Sequence, residues 1–176
     1  MINSIKIETE RLILRPPILE DLKDFTKMRS NFERSKQAGG GLDAAGAWTK
    51  FMSWVGAWQC YGFGMFSVIE KSSGTWIGNI GPVNMYSWHG QEFGWALIEE
   101  ADGKGYAQEA SIAALDWAYR NTDFDEFVHS ISPDNVASSR LAKRIGAKFI
   151  GEMVLPPPYE GYIDHIWKSF RSDWKK

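Results

Sequence analysis

Gly103-Lys104-Gly105-Tyr106-Ala107 stands between the apolar, strand-like run Glu92-Phe93-Gly94-Trp95-Ala96-Leu97-Ile98 and a stretch in which Ala110, Ala113, Ala114, Trp117 and Ala118 recur at helical spacing. β-prone residues bring the chain into the turn, and the periodic stretch carries it out as a helix over 108–120. The first turn of a helix has backbone N–H groups without an intrahelical acceptor. A glycine turn that opens a helix therefore aims several amides at one point, and a phosphate suits that point. A Gly-x-Gly alone is more often an ordinary loop; the strand before it and the helix after it favour the phosphate. No third glycine follows at dinucleotide spacing and no Gly-Lys-Ser/Thr ends the loop, so neither nucleotide fingerprint applies.

Upstream, Leu12 and Leu14 alternate with polar neighbours in a strand that stops at Pro16-Pro17. Ile18, Leu22, Phe25 and Met28 then predict a helix, with Glu20 and Asp21 in its first turn, where the dipole favours them. Gly39-Gly40-Gly41 breaks the pattern, and Ala47, Trp48, Phe51, Met52, Val55 and Trp58 make a second amphipathic helix over 44–59. Three β-like runs follow, 64–70, 75–83 and 91–98, joined by Lys71-Ser72-Ser73-Gly74 and Ser87-Trp88-His89-Gly90 as antiparallel hairpins. After the glycine-turn helix come a strand over 126–131, a short helix capped by Asn135, and strands over 148–155 and 162–170 flanking Pro156-Pro157-Pro158. The pattern predicts one α/β (α+β) domain over 1–176, a mixed, mostly antiparallel sheet flanked by helices. At 176 residues the chain is long enough for one substantial core.

A net charge of -2 gives no basic field for nucleic acid, and the longest Lys/Arg block is Lys175-Lys176. One cysteine, Cys60, excludes an internal disulfide and reads as a small packing residue. Lys6, Glu8, Glu10 and Arg11 interrupt the N-terminus, and no apolar run reaches the length of a signal peptide or a membrane span. The expectation is a soluble cytoplasmic protein with no membrane partner. Nine Trp are read as core or groove wall, since a nucleic-acid stacking platform would need a basic track.

Gly94-Trp95-Ala96-Leu97 followed by Gly103-Lys104-Gly105-Tyr106-Ala107-Gln108-Glu109-Ala110 resembles the acetyl-CoA pyrophosphate loop of the GNAT N-acetyltransferase superfamily. Ser132-Pro133-Asp134-Asn135-Val136-Ala137-Ser138-Ser139-Arg140-Leu141 and Ile145-Gly146-Ala147 resemble that family's next strand, Asn-started helix and closing glycine. Glu8-Thr9-Glu10-Arg11-Leu12-Ile13-Leu14-Arg15-Pro16 and Tyr162-Ile163-Asp164 are similar to the branch that includes enzymes acetylating ribosomal-protein N-termini. The likeness runs over almost the whole chain. It implies a GNAT-like fold, acetyl-CoA as cosubstrate, no metal, and attack on the thioester by a small-molecule amine or a peptide N-terminus. A homodimer is compatible with it.

The resemblance implies roles residue by residue. The pyrophosphate falls to Gly103, Lys104, Gly105, Tyr106 and Ala107, the pantetheine arm to the backbone of Leu97 and Ile98 beside Asn135 and Ser138, and the oxyanion to the amide of Ala96. The family's usual thiolate acid, a tyrosine seven positions after the Asn, is Ala142 here; the branch's serine three positions after it is Ser138, otherwise a helix-surface serine. Glu92 is the first candidate base, directly or through water, and reads equally as a strand-end carboxylate; Asp164 is a second acceptor or substrate anchor. Glu109 reads as dipole and packing support. Trp88 and Tyr162, with Trp48, Trp54 and Tyr159, are candidate groove walls, and Glu92, Glu160 and Asp164 would attract a cation. His89 and His165 read as groove residues and His129 as part of the sheet, none at metal-ligand spacing. Asp102 stands where the family usually has Arg, Gln or an aromatic, and it sets a carboxylate beside a phosphate. With the missing tyrosine, it keeps open a catalytically weak or inactive acyl-CoA-binding sensor of the same fold.

Overall fold

The computed structural model describes residues 5–36, 40–157 and 159–174. Gly39 of the glycine run, Pro158 of the proline run and Lys175-Lys176 lie outside the described residues. In chain order the elements are β1 (Ile7–Glu8), β2 (Leu12–Arg15), α1 (Leu22–Ser30), α2 (Phe32–Ser35), α3 (Ala44–Tyr61), β3 (Phe66–Glu70), β4 (Trp76–Val83) and β5 (Glu92–Leu97), then α4 (Tyr106–Asn121), β6 (Glu126–Ile131), α5 (Val136–Arg144), β7 (Lys148–Val154) and β8 (Ile163–Phe170). They form one sheet in the order β1-β2-β3-β4-β5-β6-β8-β7. Every neighbouring pair is antiparallel except β5 and β6, which is the mixed, mostly antiparallel sheet that the sequence predicts.

Strand alternation sorts side chains between two faces. On one face Phe93, Phe127 and Ile131 meet Ala110, Ala114 and Ala118 of α4 and Leu141 and Ala142 of α5. The small residues that repeat along α4 let that helix lie close to the sheet. On the other face Phe25 of α1 packs with Phe51 and Trp54 of α3 against Trp76, with Ala96 of β5 and Ile98 just after it at the margin. Trp54, expected in a groove, is only 9% exposed and meets Phe25 edge-on at 4.9 Å between ring centroids; one helical turn from Phe51, it faces the core. Among the described residues no helix is long and apolar enough to cross a membrane.

The sheet is interrupted at one place. β5 and β6 share a single register pair, Glu92 with Val128. One residue further on, the Phe93 carbonyl is met by a side chain instead of a strand, Nδ1 of His129 at 2.9 Å. Beyond that point β5 presents an edge with backbone groups facing away from β4.

Candidate active site

The glycine turn lies at the far end of β5. Gly103 and Gly105 have φ of 71° and 78°, a left-handed backbone that glycine adopts without a Cβ penalty. Gly105 is the N-cap of the sixteen-residue α4 and supplies no side-chain cap, so the amides of the first turn point outward unsatisfied. A Cβ at Gly103 would meet nothing within 4 Å, and one at Gly105 would find only Nη2 of Arg11, at 3.6 Å. The open side of the turn is a cradle of N–H groups at the positive end of a helix dipole, which fits a pyrophosphate.

The cradle is fastened from behind by the β1–β2 connection and the end of β3. Arg11 donates from Nη1 to the Lys104 carbonyl at 2.9 Å and from Nε to Glu109 at 2.7 Å, and its guanidinium lies 4.6 Å over the Tyr106 ring. Thr9 Oγ1 donates to Glu109 at 2.6 Å, and Tyr106 Oη to Glu70 at 2.6 Å. Burial would raise the Glu109 carboxyl, but its hydrogen bonds from Thr9 and Arg11 outweigh this and hold it below the usual carboxylate range. The Tyr106 ring thus belongs to the scaffold, and only its amide faces the cradle. Asp102 is not a bare charge at the phosphate site, because Arg34 of α2 holds it with two hydrogen bonds of 2.9 and 2.7 Å. Arg34 Nη2 also donates to the Leu97 carbonyl at 3.1 Å.

Register decides which backbone groups of β5 face the opening. Ile98 donates to the Ile77 carbonyl at 3.0 Å, and β4 and β5 pair Asn79 with Ala96 and Ile80 with Trp95. Hydrogen-bonded and non-hydrogen-bonded pairs alternate in an antiparallel ladder. The amides of Ala96 and Ile98 are therefore turned toward β4, whereas those of Trp95 and Leu97 are turned toward the opening.

Side chains reach the opening from both faces. On the α4/α5 face, Trp95 Nε1 donates to Ser138 Oγ at 3.1 Å, and Asn135 Oδ1 caps α5 by accepting the Ser138 amide at 3.0 Å. A hydroxyl oxygen that already accepts from an indole keeps its own hydrogen to donate. On the α1/α3 face, Glu92 is 9% exposed and takes 2.8 Å bonds from the Ser130 amide and from Trp88 Nε1, and a 2.9 Å bond from Ser130 Oγ. Burial pushes its carboxyl up to about 7 despite those three donors, and the Asp164 charge acts in the same direction. Ser130 Oγ lies 3.1 Å from Nε2 of His89, so a hydrogen-bonded chain runs from Glu92 through Ser130 to a partly buried imidazole. Trp88 meets the Tyr159 ring edge-on at 5.9 Å. Tyr162 precedes β8 with its ring 66% exposed, and His129 is buried in the sheet with its pKa lowered by burial to about 4.

A family model described as an acetyltransferase (GNAT) domain matches residues 11–148. The chain belongs to the GNAT acetyltransferase family. An uncharacterized N-acetyltransferase, YnaD, of Bacillus subtilis is 26% identical over 111 residues, 62% of this chain and 65% of that protein; the chain thus covers slightly less than two thirds of that relative's length. A crystal structure of an acetyltransferase from Agrobacterium tumefaciens superposes with a TM-score of 0.84 at 29% identity, over 97% of both chains. A spermidine N-acetyltransferase from Vibrio cholerae, solved with CoA and spermine, has the same fold, with a TM-score of 0.75 at 16% identity over 93% of this chain and 98% of that one.

In this GNAT acetyltransferase, two of the positions expected at the cofactor give way to a neighbour. The oxyanion position expected at Ala96 and the arm contact expected at Ile98 do not fit the register, because both amides are committed to the β4 side. Trp95, which motif spacing passes over, supplies instead an amide toward the opening and an indole to Ser138. Arg11, Arg34 and Ser130 join the candidate site through these contacts, and His89, expected in the groove, is tied to it by Ser130. Arg11, Arg34 and Ser130 reveal themselves only when residues far apart in sequence are brought together.

Proposed function

We propose that this acetyltransferase moves the acetyl group of acetyl-CoA to a primary amine, on a small molecule or at a peptide N-terminus, by direct attack on the thioester. The observation that carries the reading is the parted β5–β6 edge, with Glu92 reaching it from one face and Ser138 from the other. Acetyl-CoA, held by its pyrophosphate on the amides of 103–107, supplies the acyl thioester. The Trp95 N–H, fixed by the β4–β5 ladder, is the donor for charge developing on the acyl oxygen, and preorganised donors of this kind cost no reorganisation during reaction. Glu92 accepts the proton of the incoming amine. An α-amine with a pKa of about 8 is largely protonated at neutral pH, and a carboxylate near 7 matches that task far better than an ordinary one. Ser130 and His89 carry the proton onward from the buried site. Ser138, with its oxygen engaged by Trp95, donates a hydrogen bond to the departing sulfur and stabilises its charge while keeping its own proton, and the thiolate is protonated from solvent.

The Arg34 pair removes one of the two supports of the sensor alternative, because the Asp102 charge is neutralised before a phosphate arrives. A panel of amines and N-terminal peptides incubated with acetyl-CoA and scored by thiol release separates the readings. Acetyl-CoA binding without acceptor-dependent thiol release would favour the sensor. Ser138→Ala is expected to lower kcat by about one to three orders of magnitude with acetyl-CoA affinity nearly unchanged. Trp95→Phe, which keeps the amide and removes only the indole donor, should lower kcat less. Full turnover in Ser138→Ala would mean that the thiolate departs with solvent help alone.

A further inference from the structure

Gly94 is the third of the six residues of β5, and glycine in a strand interior weakens the strand, since it is free when unfolded and has no side chain to pack. The fold does not require it. Its φ lies outside the left-handed region, and a Cβ built on it would meet no atom of the described residues within 4 Å. Gly81, its partner across the β4–β5 ladder, is the opposite case: its φ is 149°, and a Cβ there would stand 2.7 Å from the Gly64 carbonyl oxygen. Close backbone explains Gly81. No part of the described chain claims the space over Gly94, and a strand glycine without such a cause marks a place that something else approaches closely.

That space adjoins the reacting centre. Strand alternation sets Gly94 on the same face as Glu92 and Ala96, and Ala96 packs in the α1/α3 cluster. Glu92 is two residues away, about 7 Å along the strand. Gly94 is partly exposed, whereas Glu92 and Phe93 before it are buried. On its other side Gly94 is joined by one peptide bond to Trp95, whose N–H is turned by the β4–β5 register toward the parted β5–β6 edge. An attacking amine stands about 3–3.5 Å from the acyl carbon. With the acyl oxygen at the Trp95 N–H and the amine arriving by the α1/α3 side, that position lies over the Gly94 Cα, where any side chain would stand in its way.

We propose that the bare Cα of Gly94 is the seat of the attacking amine, so that position 94 sets how much substitution the acceptor can carry at the carbon next to its nitrogen. The inference rests on the amine-acetylation reading and adds to it the residue that admits the acceptor. In that seat the nitrogen bonds the acyl carbon, the carbon–sulfur bond breaks, and the amine's proton passes to Glu92 on the same face. Gly94→Ala tests it with two pairs of acceptors that differ by one methyl at that carbon, glycinamide with alaninamide and ethylamine with isopropylamine, and thiol release from acetyl-CoA as the readout. In the variant kcat/KM should fall about tenfold or more, most steeply for the branched member of each pair, and Gly94→Val should lose about a hundredfold. Acetyl-CoA affinity by calorimetry should stay unchanged. The thermal midpoint of Gly94→Ala should equal or exceed that of the wild type, because an unstrained exchange of glycine for alanine removes freedom from the unfolded chain.

Wild-type kinetics in Gly94→Ala, an equal loss on both members of each pair, or weaker acetyl-CoA binding would overturn the proposal. A thermal midpoint several degrees below wild type would assign the glycine to the fold and do the same. If the wild type acetylates these amines and Gly94→Ala does so equally well, acetyl transfer stands and the seat alone is removed. If the wild type binds acetyl-CoA and acetylates none of the four, the amine reading fails and the seat fails with it.

Discussion

Glu92→Gln is expected to lower kcat/KM by about two to four orders of magnitude, the range for loss of a general base. The wild-type rate should fall as pH drops through about 7, because protonation of Glu92 removes the acceptor for the amine's proton. In Glu92→Gln that limb should disappear, leaving only the ionisation of the acceptor, which is identified by comparing amines of different pKa. Stability supplies an independent check. A carboxyl raised in the folded state contributes stability that is present below its unfolded pKa, 4.5, and is lost as pH rises through about 7. The thermal midpoint of Glu92→Gln relative to wild type should therefore shift in the variant's favour between pH 4 and pH 8. Wild-type rate with an unchanged pH profile would make Glu92 a structural carboxylate and move the search for the base to Asp164.

Gly105→Val should weaken acetyl-CoA binding by about ten- to a hundredfold, equivalent to losing about 1.5–3 kcal/mol of hydrogen bonding to a charged group. Gly105 sits at φ of 78°, where a β-branched side chain is strained, so a valine there would distort the turn that aims the amides, and its Cβ would approach Nη2 of Arg11, which fastens that turn. The loop is exposed and fastened separately by Arg11, Tyr106 and Glu109, so the protein should still fold, as circular dichroism and the thermal midpoint would report. Unchanged affinity in the folded variant would place the pyrophosphate elsewhere.

The fold was legible where local chemistry fixes it. The glycine turn, the alanine repeat after it and the hairpin turns around β4 each report their own geometry, and the strands and major helices follow. β1 is two residues long and α2 four, too short to leave a period in the sequence. α4 starts at Tyr106 rather than at Gln108, because the Tyr106 hydroxyl bonds Glu70 across thirty-six residues and draws the ring into the scaffold. The candidate site was legible as residue types and less so as directions. Spacing selects Ala96 for the oxyanion, but only the pairing of β5 with β4 says which amides face outward, and it favours Trp95. The environment of Asp102 was hidden in the same way, since Arg34, which neutralises it, lies sixty-eight residues away.

The division of the opening between two faces has a kinetic consequence. In the proposed function the acyl donor would rest at the end of β5 beside α4 and α5 and the amine would enter by the α1/α3 side, so neither occupant would block the other's doorway. Initial-velocity plots should intersect as for a ternary complex, and desulfo-CoA should compete with acetyl-CoA but not with the amine. A parallel pattern would require an acylated protein and contradict the two-door arrangement. With separate doors, the wall that chooses the amine can change between relatives while the wall that grips the nucleotide stays the same.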